Sequence, residues 1–118
     1  MNTREVGRAG ERIAEKYLIE QKHARILARN FTVRGGEIDL VAEIDGVIAF
    51  VEVKLRTRGD AHEAIGFAKQ KRLSRAALVY LQKNRLLEVT SRFDAVLIQP
   101  DGIEYIERAF DFVPQRGF

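Results

Sequence analysis

The chain has 118 residues, 46% of them apolar, which suits one compact domain spanning residues 1–118, and its lack of cysteine excludes a disulfide framework, a thiolate nucleophile and Cys-based metal sites. No window approaches the roughly 20 uninterrupted apolar residues of a membrane span, and the charged start "MNTREVGRAGERIAEKYL" is unlike a secretory apolar core, so a soluble, cytoplasmic protein is expected. The net charge of +3 is too mild to announce a nucleic-acid partner; its distribution is more telling, with basic runs "KLRTR" from Lys54 and "KQKRLSR" from Lys69 following an acidic stretch between Glu37 and Asp45.

From Thr3 to about Gln21, Val6, Ala9, Ile13, Ala14, Tyr17 and Leu18 recur at three- and four-residue steps and predict an amphipathic helix. Gly7 and Gly10 fall inside that pattern and read as close helix packing rather than as a phosphate loop. "ARILARNFTV" predicts a strand from Ala24 to Val33. Two more follow at Glu37 to Ile44 and Val47 to Leu55, joined by Asp45-Gly46, a strong hairpin signal. After a polar loop containing Gly59 and Gly66, Leu73, Ala76, Ala77, Tyr80 and Leu81 mark a second helix from about Phe67 to Gln82. "RFDAVLIQ" and "GIEYIERAF" close the chain as strands around Pro100-Asp101-Gly102. The order is αβββαββ, an α/β fold with one mixed sheet and helices packed on it.

The central hairpin carries the chemistry. With Asp45-Gly46 as a type I′ turn, Ile44 faces Val47 and paired residue numbers sum to about 91, so Asp39 is expected opposite Glu52 and Glu37 opposite Lys54, all four on one face. Facing carboxylates repel, and burying them unpaired costs several kcal/mol. Three arrangements relieve that: a salt-bridge network through Lys54, an exposed sheet face, or a divalent cation shared by both groups. The run "VIAFVEVK" is apolar on both faces, as in a covered central strand, which weighs against simple exposure.

On the first helix, Glu11 borders the apolar stripe beside Ala14 and Leu18, near Arg4 and Arg8, either solvated or reaching the acidic end of the sheet. On the second, Lys69 and Gln70 flank the buried stripe at the N-terminal end, where a cation is unfavourable to the helix dipole unless an anion is near. Lys69 is either a snorkelling side chain or the partner of a phosphate or of the carboxylates.

The run "GEIDL" followed by "FVEVKLR" resembles the D…ExK core of the PD-(D/E)xK, or restriction-endonuclease-like, superfamily. With "GRAGERIAEKYL", Asn30, "KQKRL" and "RFD" in order, the chain is similar over nearly its whole length to the bacterial YraN-like family, itself similar to archaeal Holliday junction resolvases. Ile38 stands where the superfamily name has proline. The resemblance implies a restriction-endonuclease-like fold and a Mg²⁺- or Mn²⁺-dependent endonuclease acting on DNA, including branched or junction DNA, in repair or recombination. It implies Asp39, Glu52, the Val53 carbonyl and Glu11 as metal ligands, and Lys54 as the group that orients the attacking water and stabilises developing charge. Lys69 and Gln70 would hold phosphate, Arg56 and Arg58 would extend the nucleic-acid contact, and Glu37 would support the site by orienting its neighbours or by ligation. It also implies a homodimer, since two symmetric cuts need two sites, and the apolar tail "FDFVPQRGF" is the candidate docking surface. Two other classes stand beside this one: a non-catalytic nucleic-acid-binding module of the same fold, and an interaction protein whose "EVK" face docks a partner without metal.

Overall fold

The computed structural model describes residues 3–56 and 65–116; Arg58 and the loop around Gly59 lie outside them. The elements run α1 (Thr3–Lys22), β1 (Arg25–Val33), β2 (Gly36–Ile44), β3 (Val47–Leu55), α2 (Phe67–Lys83), β4 (Ser91–Gln99) and β5 (Gly102–Phe110), the expected αβββαββ order. The strands lie in chain order in one mixed sheet. Three pairings are antiparallel and β3–β4 is parallel, which requires a long crossover, supplied by the segment containing α2.

The sheet is covered on both faces. Leu73, Ala76, Ala77 and Tyr80 of α2 pack with Ile38, Val41, Ile48, Phe50, Phe93, Ala95 and Leu97. On the opposite face Ala14 and Leu18 of α1 pack with Leu40, Ala42, Ile44, Ala49, Val51 and Val96. Each fully buried Leu, Ile or Val contributes roughly 1.5–3 kcal/mol of burial, so β2 and β3, buried from both sides, anchor the molecule. The buried seam of α1 is narrower than its apolar pattern: Val6 and Ile13 are exposed, while Ala14 and Leu18 are sealed. Glu11 precedes Ala14 by three residues and Leu18 by seven, which aligns it with that seam. Of the two helix glycines only Gly10 makes a close approach, since a Cβ there would lie 3.0 Å from Leu55 Cδ2; Gly7 faces open space.

Two local features bring the acidic end of β2 against α2. A Cβ on Gly36 would sit 2.3 Å from the Arg72 carbonyl oxygen, so only glycine lets β2 start this close to the helix. Regular side-chain alternation also breaks at Asp39. Leu40, Ala42 and Ile44 face α1 and Val41 faces α2, yet Ile38, which should match Leu40, packs on the α2 side. On β1, Asn30 lies between Arg29, registered with Leu40, and Phe31, registered with Ile38, and has a left-handed backbone (φ 49°).

The Asp45-Gly46 turn has positive φ at both residues, as a type I′ turn requires, and the expected register holds from Ile44–Val47 to Leu40–Val51. The ladder ends there. Asp39 and Glu52 are not a registered pair, and Glu37 registers with Thr32 on β1 rather than with Lys54, because the strands part once the pleat slips. The apolar tail is likewise tied down: Val113 N–H donates to the sealed Ser74 hydroxyl (2.9 Å), and Gln115 Nε2 donates to the Lys71 carbonyl (3.0 Å). No helix among the described residues is long and apolar enough to cross a membrane.

Candidate active site

Where β2 and β3 part, a cleft of about 150 Å³ opens toward α2, lined by Glu37, Asp39, Glu52, Lys69, Arg72 and Leu73. Asp39 is fixed by the neighbouring strand: Val53 N–H donates to its Oδ2 at 2.8 Å, a side-chain bond in place of the next ladder rung. Glu52 is nearly sealed, with a side chain 8% exposed, and its Oε1 lies 2.8 Å from the Lys69 ammonium, itself 41% exposed.

The electrostatics follow from that crowding. Burial, and then the negative charge of Glu52, push the Asp39 carboxyl up to about 7, against the opposing pull of the Val53 N–H and Lys69. Glu11, on the other side of the sheet, is raised above its ordinary value by burial first and by Asp39 second, while the Asn30 amide favours its ionised form. Glu11 therefore belongs to the same acidic field as Asp39. It opens into a separate hollow of about 400 Å³ lined by Arg8, Glu11, Arg12, Glu15, Arg29, Asn30 and Leu40. In that hollow Arg29 clamps Glu15 through two bonds of 2.6 and 2.9 Å.

Of the residues read from the sequence, Glu37, Asp39, Glu52 and Lys69 share one cleft. Glu37 is exposed at the rim. Val53 has its N–H committed to Asp39. Lys54 is half-buried and its ammonium makes no hydrogen bond or ion pair with any described residue, so the expected pair with Glu37 is replaced by that of Lys69 with Glu52. Gln70 donates its side-chain amide to the Ile65 carbonyl (2.7 Å), securing the start of α2. Arg56 extends beyond β3, its N–H bonded to the Ile98 carbonyl (2.8 Å), and Arg58 lies outside the described residues.

Three features escape sequence reading. Arg72 lines the cleft one turn beyond Lys69, a position helical spacing from Lys69 would have found. Asn30 sits at the pleat slip, for which its tolerance of left-handed backbone is the one available hint. The third is a buried network around Asp94, fully sealed, which accepts bonds from Arg92 Nε (3.0 Å), the Tyr105 hydroxyl and the Arg108 N–H (3.0 Å). Arg92 also reaches Glu107 at 3.1 Å. Burial and the Asp94 carboxylate push the Tyr105 phenol above its ordinary range, so it stays a donor.

Residues 10–98 match the profile of a family described as "Uncharacterised protein family UPF0102". The chain is 50% identical to a UPF0102 protein of Trichlorobacter lovleyi over 90% of both chains. It is 46% identical to a relative in Lachnoclostridium phytofermentans, over 94% of this chain and 97% of that one. A third relative, in Geobacter metallireducens, is 42% identical over 94% and 96%. Among solved structures it is similar to part of "Crystal structure of SSO0001", with 19% identity and a TM-score of 0.47, over 87% of this chain and only 50% of that one.

Proposed function

The chain belongs to the UPF0102 family, the YraN-like family its motifs resemble, and from that premise we propose that it is a divalent-metal-dependent endonuclease that hydrolyses phosphodiester bonds in DNA, with branched or junction DNA as the substrate class. The observation that carries this reading is the pair Asp39 and Glu52: a half-buried and a nearly sealed carboxylate lining one cleft, where burial and the Glu52 charge hold the Asp39 carboxyl well above its ordinary range. Such a pair is stabilised when a cation is shared between its oxygens.

Asp39, Glu52 and the Val53 carbonyl are the groups that would hold Mg²⁺ or Mn²⁺, with Glu11 reaching the ion through water from the α1 side. They are hard oxygen donors, and Mg²⁺ needs only one or two carboxylates when water and substrate phosphate complete its shell. When bound, the ion supplies a water of lowered pKa and a polarised phosphoryl oxygen. The bond from Val53 N–H keeps Asp39 aimed along β3, so its second oxygen is free to face the cleft. Lys54, two residues past Glu52 and on the same side of β3 by alternation, orients the attacking water and stabilises charge as it builds on the phosphate. Lys69 and Arg72 line the cleft and grip phosphates beside the reacting one, with Gln70, Arg56 and Arg58 as the adjoining contacts. Arg8 and Arg12 offer a second basic rim on the α1 side. Glu37, at the rim, tunes the charge of Asp39.

A second reading is a non-catalytic nucleic-acid-binding module. It is favoured by Lys69 already neutralising Glu52, and by the fact that, among the described residues, no group of three or more metal-ligating side chains converges. Incubating the protein and its Asp39→Asn variant with Mg²⁺ or Mn²⁺ and labelled junction, flap, duplex and single-stranded DNA, with RNA counterparts, separates the two. Nuclease chemistry predicts cleavage of a branched DNA that falls by about 10²-fold or more in the variant. Binding of the same substrates with no cleavage under either ion is the result the module reading requires.

A further inference from the structure

We propose that Lys69 is an internal counter-cation for Glu52 that exchanges with the divalent ion, so that metal binding releases its ammonium to take a substrate phosphate. The inference rests on the metal-dependent reading above and adds to it a coupling between metal and nucleic acid.

The geometry sets up a competition. The Lys69 ammonium lies 2.8 Å from Glu52 Oε1, on the carboxylate that would ligate the ion, and Asp39 feels both Glu52 and Lys69. Glu52 is nearly sealed, so without a cation its charge would stand uncompensated; Lys69 supplies that cation. The two ends of the contact differ in freedom. Glu52 sits on a buried central strand, whereas Lys69 is partly exposed and carries its charge on a four-carbon stem in the first turn of α2. With a doubly charged ion held by Asp39 and Glu52, the ammonium would be repelled from that oxygen and would stay beside the cleft that Arg72 also lines. There the first turn of α2 carries no acid of its own, and a helix N-terminus favours an anion. The released ammonium then has phosphate as its partner. Because linkage is reciprocal, nucleic acid bound through Lys69 tightens the metal by the factor with which the metal tightens nucleic acid.

The test is calorimetric titration of Mg²⁺ alone into the wild-type protein, Lys69→Met and Lys69→Arg, with ¹³C-lysine NMR of the Lys69 ε-methylene, assigned by its loss in Lys69→Arg. Exchange predicts that Lys69→Met binds Mg²⁺ at least about tenfold more tightly, since the tethered competitor is gone, while Lys69→Arg, which keeps the charge, shows no gain. In the wild type the Lys69 signal moves toward that of a solvated lysine as Mg²⁺ saturates. Equal or weaker Mg²⁺ binding by a folded Lys69→Met, or a Lys69 signal that Mg²⁺ saturation leaves unmoved, overturns the exchange and leaves the nuclease reading standing. Should Lys69→Met fail to fold, the NMR signal of the wild type decides alone. Failure of every protein to bind Mg²⁺ sinks the nuclease reading and the exchange with it.

Discussion

Asp39 holds its proton in the folded protein up to about pH 7 because it is buried beside Glu52, whereas the unfolded chain gives the same proton up near its ordinary value of 3.8. Between those values the native state binds more protons than the unfolded one, so stability is greatest below the unfolded pKa and is lost as pH rises toward about 7, with little further change above. At about 1.4 kcal/mol per pK unit the loss is a few kcal/mol at most. Denaturant midpoints taken at pH 5 and pH 8 should therefore fall with pH for the wild type, and Asp39→Asn should flatten that dependence. Lys54 yields a second expectation at this scale. It is half-buried and its ammonium bonds no described residue, so Lys54→Ala should change stability by less than about 1 kcal/mol. Cleavage should nevertheless drop by about 10²-fold or more, the cost of losing one electrostatic stabiliser. A destabilised but fully active Lys54→Ala protein would contradict the role assigned to it.

The elements owe their placement to local rules, and most of those rules are legible in the sequence. Asp45-Gly46 sets the hairpin register, and apolar periodicity marks both helices. Reading that register past Leu40 fails for a physical reason: extrapolation assumes an unbroken pleat, and the pleat slips at Asn30 and Asp39. Hence Glu37, Asp39 and Glu52 meet in one cleft as their shared face suggests, while Glu37 registers with Thr32 and not with Lys54. Asp94 was out of reach for a different reason. In "RFD" a charged residue beside an apolar one reads equally as the solvent face of a strand. Only the β4–β5 bulge, with Arg108 at φ 56° turning its N–H inward, makes a sealed carboxylate satisfiable. Asp94→Ala leaves the mostly buried Arg92 guanidinium only the exposed Glu107 as a carboxylate partner and orphans the Arg108 N–H, and it should cost about 3–5 kcal/mol in urea unfolding. A loss below about 1 kcal/mol would mean that water replaces the carboxylate at no cost.

At the scale of the whole molecule, the two helices stand on opposite faces of one sheet, and the acidic end of β2 and β3 is reached from both. Lys69 and Arg72 border it from α2, and Arg8, Arg12 and Glu11 border it from α1. The fold thus sets a carboxylate pair on buried strands and cations on the flanking helices, the division of labour that the proposed chemistry calls for. What the account requires above all is that this pair binds a divalent ion. A ligand at a hundredfold excess over its Kd stabilises the folded state by about 2.7 kcal/mol, which for a chain of this size raises Tm by on the order of 10 °C. The decisive measurement is therefore the Tm of the wild type and of Asp39→Asn at neutral pH, with and without millimolar Mn²⁺. A metal-binding pair predicts a rise of several degrees in the wild type that Asp39→Asn lacks; no rise in the wild type, or an equal rise in both, would exclude it.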